Sequence, residues 1–135
     1  MPPLAEFRTG AAGELRSRSV PVNYGTVRLI RPDEESVLAW AREDFACVVF
    51  NLHTEHSEKG IGVSADAFRA LIDMALSCGG SFFLTCHRWA RREQIERAYP
   101  RIEEFLRGKD AHDPEGRFQS EWWRHHRNLI EGATR

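Results

Sequence analysis

Ala46-Cys47-Val48-Val49-Phe50-Asn51-Leu52-His53-Thr54 is the stretch on which the fold turns. Successive side chains of a strand point to opposite faces, so Val48, Phe50 and Leu52 share one side while Cys47, Val49, Asn51 and His53 share the other. One side is apolar; the other turns polar toward its end. Upstream, Val22-Asn23-Tyr24-Gly25-Thr26-Val27-Arg28-Leu29-Ile30 is a second β-branched and aromatic run that predicts a strand, with Gly25 marking a bulge or a close backbone approach. Pro32-Asp33-Glu34-Glu35 ends that strand and predicts a short helix through Trp40, its acids in the first turn where the helix dipole favours them. Leu4 to Arg18 predicts a helix with Leu4, Phe7, Ala11 and Leu15 near one face, softened by Gly10 and Gly13 at about 1 kcal/mol each relative to Ala.

Downstream of Thr54, Glu55 to Gly62 reads as a polar loop, and Ser64 as the cap of a helix whose Phe68, Leu71, Ile72, Ala75 and Leu76 recur at helical spacing. Gly79-Gly80 stops that helix. Ser81 to His87 predicts a third strand, with Phe82, Leu84 and Cys86 on one face and Phe83, Thr85 and His87 on the other. From Arg91 the helical period returns through Ile95, Ala98, Ile102, Phe105 and Leu106, Pro100 kinks or splits it, and Gly108 closes it. Asp113-Pro114-Glu115-Gly116 predicts a turn, and Ser120 caps a last helix through Trp122, Trp123, His126, Leu129 and Ile130. The order predicts one α+β domain over residues 1–135, an antiparallel or mixed sheet covered on one face by helices, with extra C-terminal helices. It resembles a ferredoxin-like βαββαβ unit that has lost its first strand, and a missing strand leaves backbone groups to be met by another chain, another segment or water.

The 135 residues carry 19 Lys and Arg against 20 Asp and Glu, a formal net charge of −1, and 41% are hydrophobic. That is enough apolar sequence for a single core hiding roughly two-thirds of the unfolded surface, and too little length for a second domain. Acids and bases are interleaved, which speaks against nucleic acid as a partner. No apolar run approaches the roughly 18 to 20 residues of a membrane helix, and Met1 to Ser19 lacks a signal-peptide core, so the expectation is a soluble, cytoplasmic protein. Cys47, Cys78 and Cys86 are odd in number and lack CxxC spacing; each reads as a small core hydrophobe in a reducing compartment.

The uncovered sheet face would carry Arg28, Asn51, His53, Thr85 and His87 with Tyr24 and Phe83. Polar groups flanked by aromatics suit a small polar substrate, and imidazole, with an unperturbed pKa of about 6.5, is the natural proton acceptor among them. The plain alternative is the solvated side of a one-sided sheet. His53, Glu55 and His56 with Cys86 and His87 offer metal-ligand types at poor spacing, so no metal is expected. Gly79-Gly80-Ser81 follows a helix and precedes a strand, the reverse of a phosphate loop, and no GxGxxG, Walker A or GxSxG pattern occurs. Arg88-Trp89-Ala90-Arg91-Arg92 and Trp122-Trp123-Arg124-His125-His126-Arg127 set cations beside aromatics, for which pairing to Glu93 and Glu96 and packing of the indoles is the simpler reading. Four tryptophans in so short a chain also suit an interface.

Gly79-Gly80-Ser81-Phe82-Phe83-Leu84-Thr85-Cys86-His87-Arg88-Trp89-Ala90, Tyr99-Pro100 with Phe105 and Lys109, and Asp113-Pro114 with Phe118-Gln119-Ser120 resemble the C-terminal end of FAD-linked oxidoreductases of the vanillyl-alcohol oxidase and p-cresol methylhydroxylase superfamily, which includes aldonolactone and alditol oxidases. Tyr24-Gly25-Thr26-Val27-Arg28, Asp33-Glu34-Glu35-Ser36 and Phe50-Asn51-Leu52-His53 with Glu55-His56 extend the similarity upstream, most clearly over residues 20–131. The resemblance implies a substrate, or cap, domain whose sheet faces a flavin held by a separate FAD-binding domain or subunit, absent from these residues, so that the chain alone turns nothing over. On that basis His53 and His87 are the candidate catalytic residues, and Arg28, Asn51, Tyr24, Phe83, Thr85 and Cys86 the candidate substrate contacts. Phe83 stands where the family often has tyrosine, and Cys86 where it often has Tyr or Lys. The alternative is a non-enzymatic ferredoxin-like module for ligand binding or subunit association, including association with its own copies.

Overall fold

A computed structural model describes residues 4–132. In chain order it contains α1 (Leu4–Ser17), β1 (Val22–Ile30), β2 (Phe45–Leu52), α2 (Glu58–Ser77), α3 (Arg92–Ala98), α4 (Ile102–His112) and α5 (Glu121–Glu131). The two strands form an antiparallel sheet, so the fold is α+β. Its register pairs Tyr24 with Asn51, Thr26 with Val49 and Arg28 with Cys47, after an irregularity between Val22 and Tyr24. Opposed residues share a face. Tyr24, Thr26 and Arg28 therefore lie with Asn51, Val49 and Cys47 on one side, and Gly25, Val27 and Leu29 with Phe50, Val48 and Ala46 on the other.

Helices cover only part of that second side. Phe50 and Leu52 pack on a cluster of Ala11, Leu15, Val20, Ala67 and Leu71, between α1 and α2. Val27 and Leu29 are left 47% and 78% exposed, so the expectation of a fully covered sheet face fails at its far end. α1 approaches α2 closely at Gly10, where a Cβ would lie 2.6 Å from Met74 Cε. The glycine that softens the helix in isolation makes room for its neighbour.

A second, larger cluster joins Ile72 and Leu76 of α2 to Leu84, Ile95, Tyr99, Ile102, Leu106, Trp123 and Ile130, with Leu38, Trp40, Phe68 and Phe82 packed against it. Burying one such aliphatic side chain contributes about 1.5–3 kcal/mol. Lys109 and Arg127 lie over the Trp123 ring at 5.1 and 5.6 Å, covering the core with their stems.

Several expectations are corrected. No helix forms between Pro32 and Trp40, because Asp33 Oδ1 accepts the Glu35 and Ser36 amides at 3.1 and 2.9 Å and holds the chain in a turn. α2 begins at Glu58 and not after Ser64: Ser57 Oγ accepts the Gly60 amide at 3.0 Å, so the expected loop of Glu55 to Gly62 is largely first turn. A Cβ at Gly60 would sit 2.5 Å from the Glu55 carbonyl oxygen, which fixes glycine there. Ser64 is instead buried, its hydroxyl 2.9 Å from that of Thr54. Ser81 to His87 forms no strand; the sheet has two strands among the described residues. Pro100 splits the helical run, α3 ending at Ala98 and α4 starting at Ile102, but Gly108 lies inside α4.

Candidate functional site

Residues 81–90 cross from α2 to α3 as irregular chain and are positioned by side chains from elsewhere. The Tyr99 hydroxyl donates to the Phe82 carbonyl, Trp122 Nε1 donates to the Leu84 carbonyl at 3.2 Å, and Arg69 Nε donates to the Trp89 carbonyl at 2.7 Å. Phe82 and the buried Leu84 point into the larger cluster, while Phe83 turns outward against Trp40 with ring centroids 5.1 Å apart. The alternation expected of a strand thus persists over these residues without strand pairing. Burial pushes the Tyr99 phenol up to about 12, so it stays a hydrogen-bond donor at ordinary pH.

Two clefts flank this segment, with Thr85 and Trp122 common to both. The larger, about 350 Å³, is lined by Thr85, Cys86, His87, Arg88, Trp89 and Trp122. The smaller, about 220 Å³, is lined mainly by aromatic and aliphatic groups, among them Trp40, Phe83, Tyr99 and Leu84. His87 stacks flat on Trp89, centroids 4.2 Å apart and planes 2° from parallel, and both meet the edge of Phe68 at 5.7 and 5.9 Å. Arg88 supplies the cleft's positive charge; its guanidinium donates to the Glu121 carbonyl at 3.3 Å and lies 3.8 Å from the Glu121 carboxylate. Burial pushes the Cys86 thiol up, which keeps it protonated and poorly nucleophilic.

Behind Trp122 lie two histidines. His126 is 1% exposed, its ring stacked on Trp122 at 4.2 Å and its Nδ1 2.8 Å from the Trp122 carbonyl oxygen. A carbonyl can only accept, so Nδ1 carries the proton. His125 Nε2 is buried with no hydrogen-bond partner among the described residues. Burial lowers both histidines, and Arg88 adds to the effect. Both imidazoles are thereby held neutral.

The chain matches no protein-family model, no curated protein and no solved structure. The site is read from its own geometry.

Of the residues singled out in the sequence, the structure brings Thr85, Cys86 and His87 together in the larger cleft and places Phe83 and Thr85 in the smaller. Tyr24 and Asn51 meet elsewhere, on the ribbon: Asn51 Nδ2 lies 3.4 Å from the Tyr24 hydroxyl, and Asn51 Oδ1 accepts from Asn23 at 2.9 Å. Arg28 lies beside Cys47 in the same row, and His53 is exposed just beyond β2. These four ribbon-side residues do not line either cleft. Burial raises the Cys47 thiol, and the neighbouring Arg28 opposes the shift. Cys86 itself is exposed, against its reading as a core residue.

Sequence reasoning passed over Trp122 and Trp40 as cleft walls. Their signal was present in the four tryptophans, but only the fold places indoles from residues 40 and 122 against residues 83 to 85. The simpler reading of the arginines holds: Arg91 pairs with Glu93 at 2.6 Å and Asp73 at 2.8 Å, and Arg92 with Glu96 at 2.7 Å. Among the described residues no group of three or more His, Cys, Asp and Glu side chains could hold a metal ion, and no helix is long and apolar enough to cross a membrane.

Proposed function

We propose that this chain is the substrate-domain portion of an FAD-linked oxidoreductase that oxidises a hydroxylated or sugar-like small molecule, with the flavin held by a separate domain or subunit. The observation that carries this reading is the larger cleft, whose wall joins His87, Thr85 and the Arg88 side chain to the indoles of Trp89 and Trp122. A few directed polar groups between aromatic walls are what a polyhydroxylated ligand needs. The motif order around Gly79 to Ala90 supports the same reading, as does the order α1, β1, β2, α2, which matches the middle of a ferredoxin-like βαββαβ unit.

The cleft fits one side of a flavin site and not a whole dinucleotide site. Open and about 350 Å³, it is bordered by the first turn of α5 through Trp122 but holds no glycine-rich turn to receive a pyrophosphate. It offers flat aromatic surface to a ring and hydrogen-bonding groups to a substrate lying against that ring. Bound flavin supplies acceptance of a hydride from the substrate C–H. His87 takes the proton of the hydroxyl on the same carbon, so that the product is a carbonyl and the proton resides on the imidazole. Thr85 and Arg88 orient the remaining hydroxyls, and the indoles exclude water. His53, Asn51, Tyr24 and Arg28 lie on the ribbon outside the cleft, and the proposed step does not use them.

The test is anaerobic mixing of alditols, aldonolactones and other small alcohols with the chain reconstituted on a candidate FAD-binding polypeptide. The expected result is bleaching of the oxidised flavin spectrum by at least one compound. A stable flavin complex that no hydroxylated compound reduces refutes the reading. The exposed apolar side chains of β1, Leu29 foremost, favour the second reading, a module for subunit association without chemistry of its own. A chain that takes up no flavin domain and forms a self-dimer over the ribbon selects it.

A further inference from the structure

We infer that the ligand of this chain is an amphiphile whose hydroxylated end occupies the larger cleft and whose apolar arm, the size of a single six-membered ring, occupies the smaller. The hydroxylated end rests on the functional reading above; the apolar arm rests on the smaller cleft, which that reading leaves unused. Four aromatic rings, from Trp40, Phe83, Tyr99 and Trp122, line this cleft together with two leucines and Thr85, and none of these side chains carries a charge. Few polar ends are left to hold water there. The Tyr99 hydroxyl donates to the Phe82 carbonyl and Trp122 Nε1 to the Leu84 carbonyl at 3.2 Å, so both donors are spent on the chain. The Thr85 hydroxyl and the Trp40 indole N–H are what remains among the lining side chains. A fixed water needs about two to four polar partners, whereas an apolar cavity of about 150 Å³ stays dry and takes a benzene molecule. At about 220 Å³ the smaller cleft has room for one ring with a short substituent.

The second observation joins the two clefts. Thr85 and Trp122 line both. His126, 1% exposed, stacks on the Trp122 ring at 4.2 Å and so closes one face of it. The other face and the rim are all that the indole has to offer, so both clefts meet it from the same outer side. Thr85 is exposed and short, a low divider between them. One molecule can therefore cross at Thr85, with His87 and Arg88 on one side and Phe83 and Trp40 on the other.

The energetics favour a joined ligand. Once one half is seated the second contact is intramolecular, so the whole binds more tightly than either fragment. Phe83 is 49% exposed and meets Trp40 edge to face, and a ring laid beside it removes apolar surface from water.

The test is titration of the intact chain with methyl β-glucopyranoside, phenyl β-glucopyranoside and phenol, followed at the assigned indole N–H resonances of its four tryptophans. The phenyl glucoside is expected to bind about ten-fold or more tightly than the methyl glucoside. It should shift Trp40, Trp89 and Trp122 together while the buried Trp123 stays still, and Phe83→Ala should narrow the ratio of the two affinities to about three-fold or less. Equal affinity of the two glucosides, or a bound phenyl glucoside that leaves Trp40 unmoved, overturns the inference and leaves the reading of the larger cleft standing. Phenol that shifts Trp40 while neither glucoside binds overturns the inference from the other end, because the larger cleft then takes no hydroxylated ligand.

Discussion

Replacing Gln94 by methionine, which fills nearly the same volume without a polar atom, isolates the hydrogen bonds that tie the start of α3 to α2. Gln94 is 1% exposed. Its Oε1 accepts the Arg91 amide at 3.0 Å, and its Nε2 donates to the Arg69 carbonyl at 2.8 Å and to Asp73 Oδ1 at 2.7 Å. The losses are unequal. The Arg69 carbonyl lies inside α2, where the helix ladder already employs it, and Asp73 keeps the Arg91 guanidinium at 2.8 Å. The Arg91 amide keeps nothing. A neutral bond contributes about 1 kcal/mol net and one to a carboxylate about 1.5–3, so Gln94→Met is expected to cost about 3 kcal/mol. Followed by tryptophan fluorescence in urea, this lowers the unfolding midpoint by about 2 M for a domain of this size. Gln94→Glu keeps the acceptor for Arg91 but buries a second carboxylate against Asp73, so its deficit exceeds that of methionine and grows as pH rises above about 4 to 5. A methionine variant whose midpoint lies within about 0.3 M of the parent refutes the assignment of net stability to these bonds.

His126 is held neutral by burial, so the unfolded chain binds a proton that the native chain refuses once pH falls below about 6.5. Melting temperature is therefore expected to drop between pH 7 and 5, and a flatter profile is expected for His126→Gln; equal slopes discard the idea. Asp73 is pressed upward by burial but held below the usual carboxylate range by Gln94 and Arg91. Its contribution is present above about pH 4 and fades as acid takes the pH through the lowered native value, a loss that Asp73→Asn removes from the acid limb. Ser57→Ala should cost about 1 kcal/mol by uncapping α2, and Leu29→Lys should stay within about 0.5 kcal/mol, both read by urea midpoints. For the proposed flavin chemistry, in the chain joined to an FAD-binding polypeptide, His87→Ala should slow flavin reduction by about 10²-fold, and an unchanged stopped-flow rate removes His87 as the proton acceptor.

Where local pattern and tertiary packing agree, the elements are legible in advance. β1, β2 and the split at Pro100 follow from β-branched runs and from proline's missing donor, properties that no neighbour overrides. The start of α2 was not legible, because Gly60 and Gly62 read as loop until the Glu55 carbonyl beside Gly60 is known. Ser81 to His87 has a strand's composition and part of its alternation, but a ladder needs a neighbouring backbone, and no described segment supplies one. That same dependence divided the anticipated face: Thr85 and His87 share a cleft while Asn51 and Tyr24 share a ribbon, because no ladder joins the two segments among the described residues. Trp122 was invisible as a cleft wall, since its place depends on how α5 docks.

The carbonyls of Phe82 and Leu84 are gripped by Tyr99 and Trp122, which lie 17 and 38 residues further along the chain. Anchorage through main-chain oxygens asks nothing of the exposed side chains at positions 85 and 86, whereas Phe83 and His87 also pack on Trp40 and Trp89. Those two positions, both on the wall of the larger cleft, can be rewritten with little penalty to the scaffold, so the chemistry of that wall is free to drift while the backbone beneath it stays fixed.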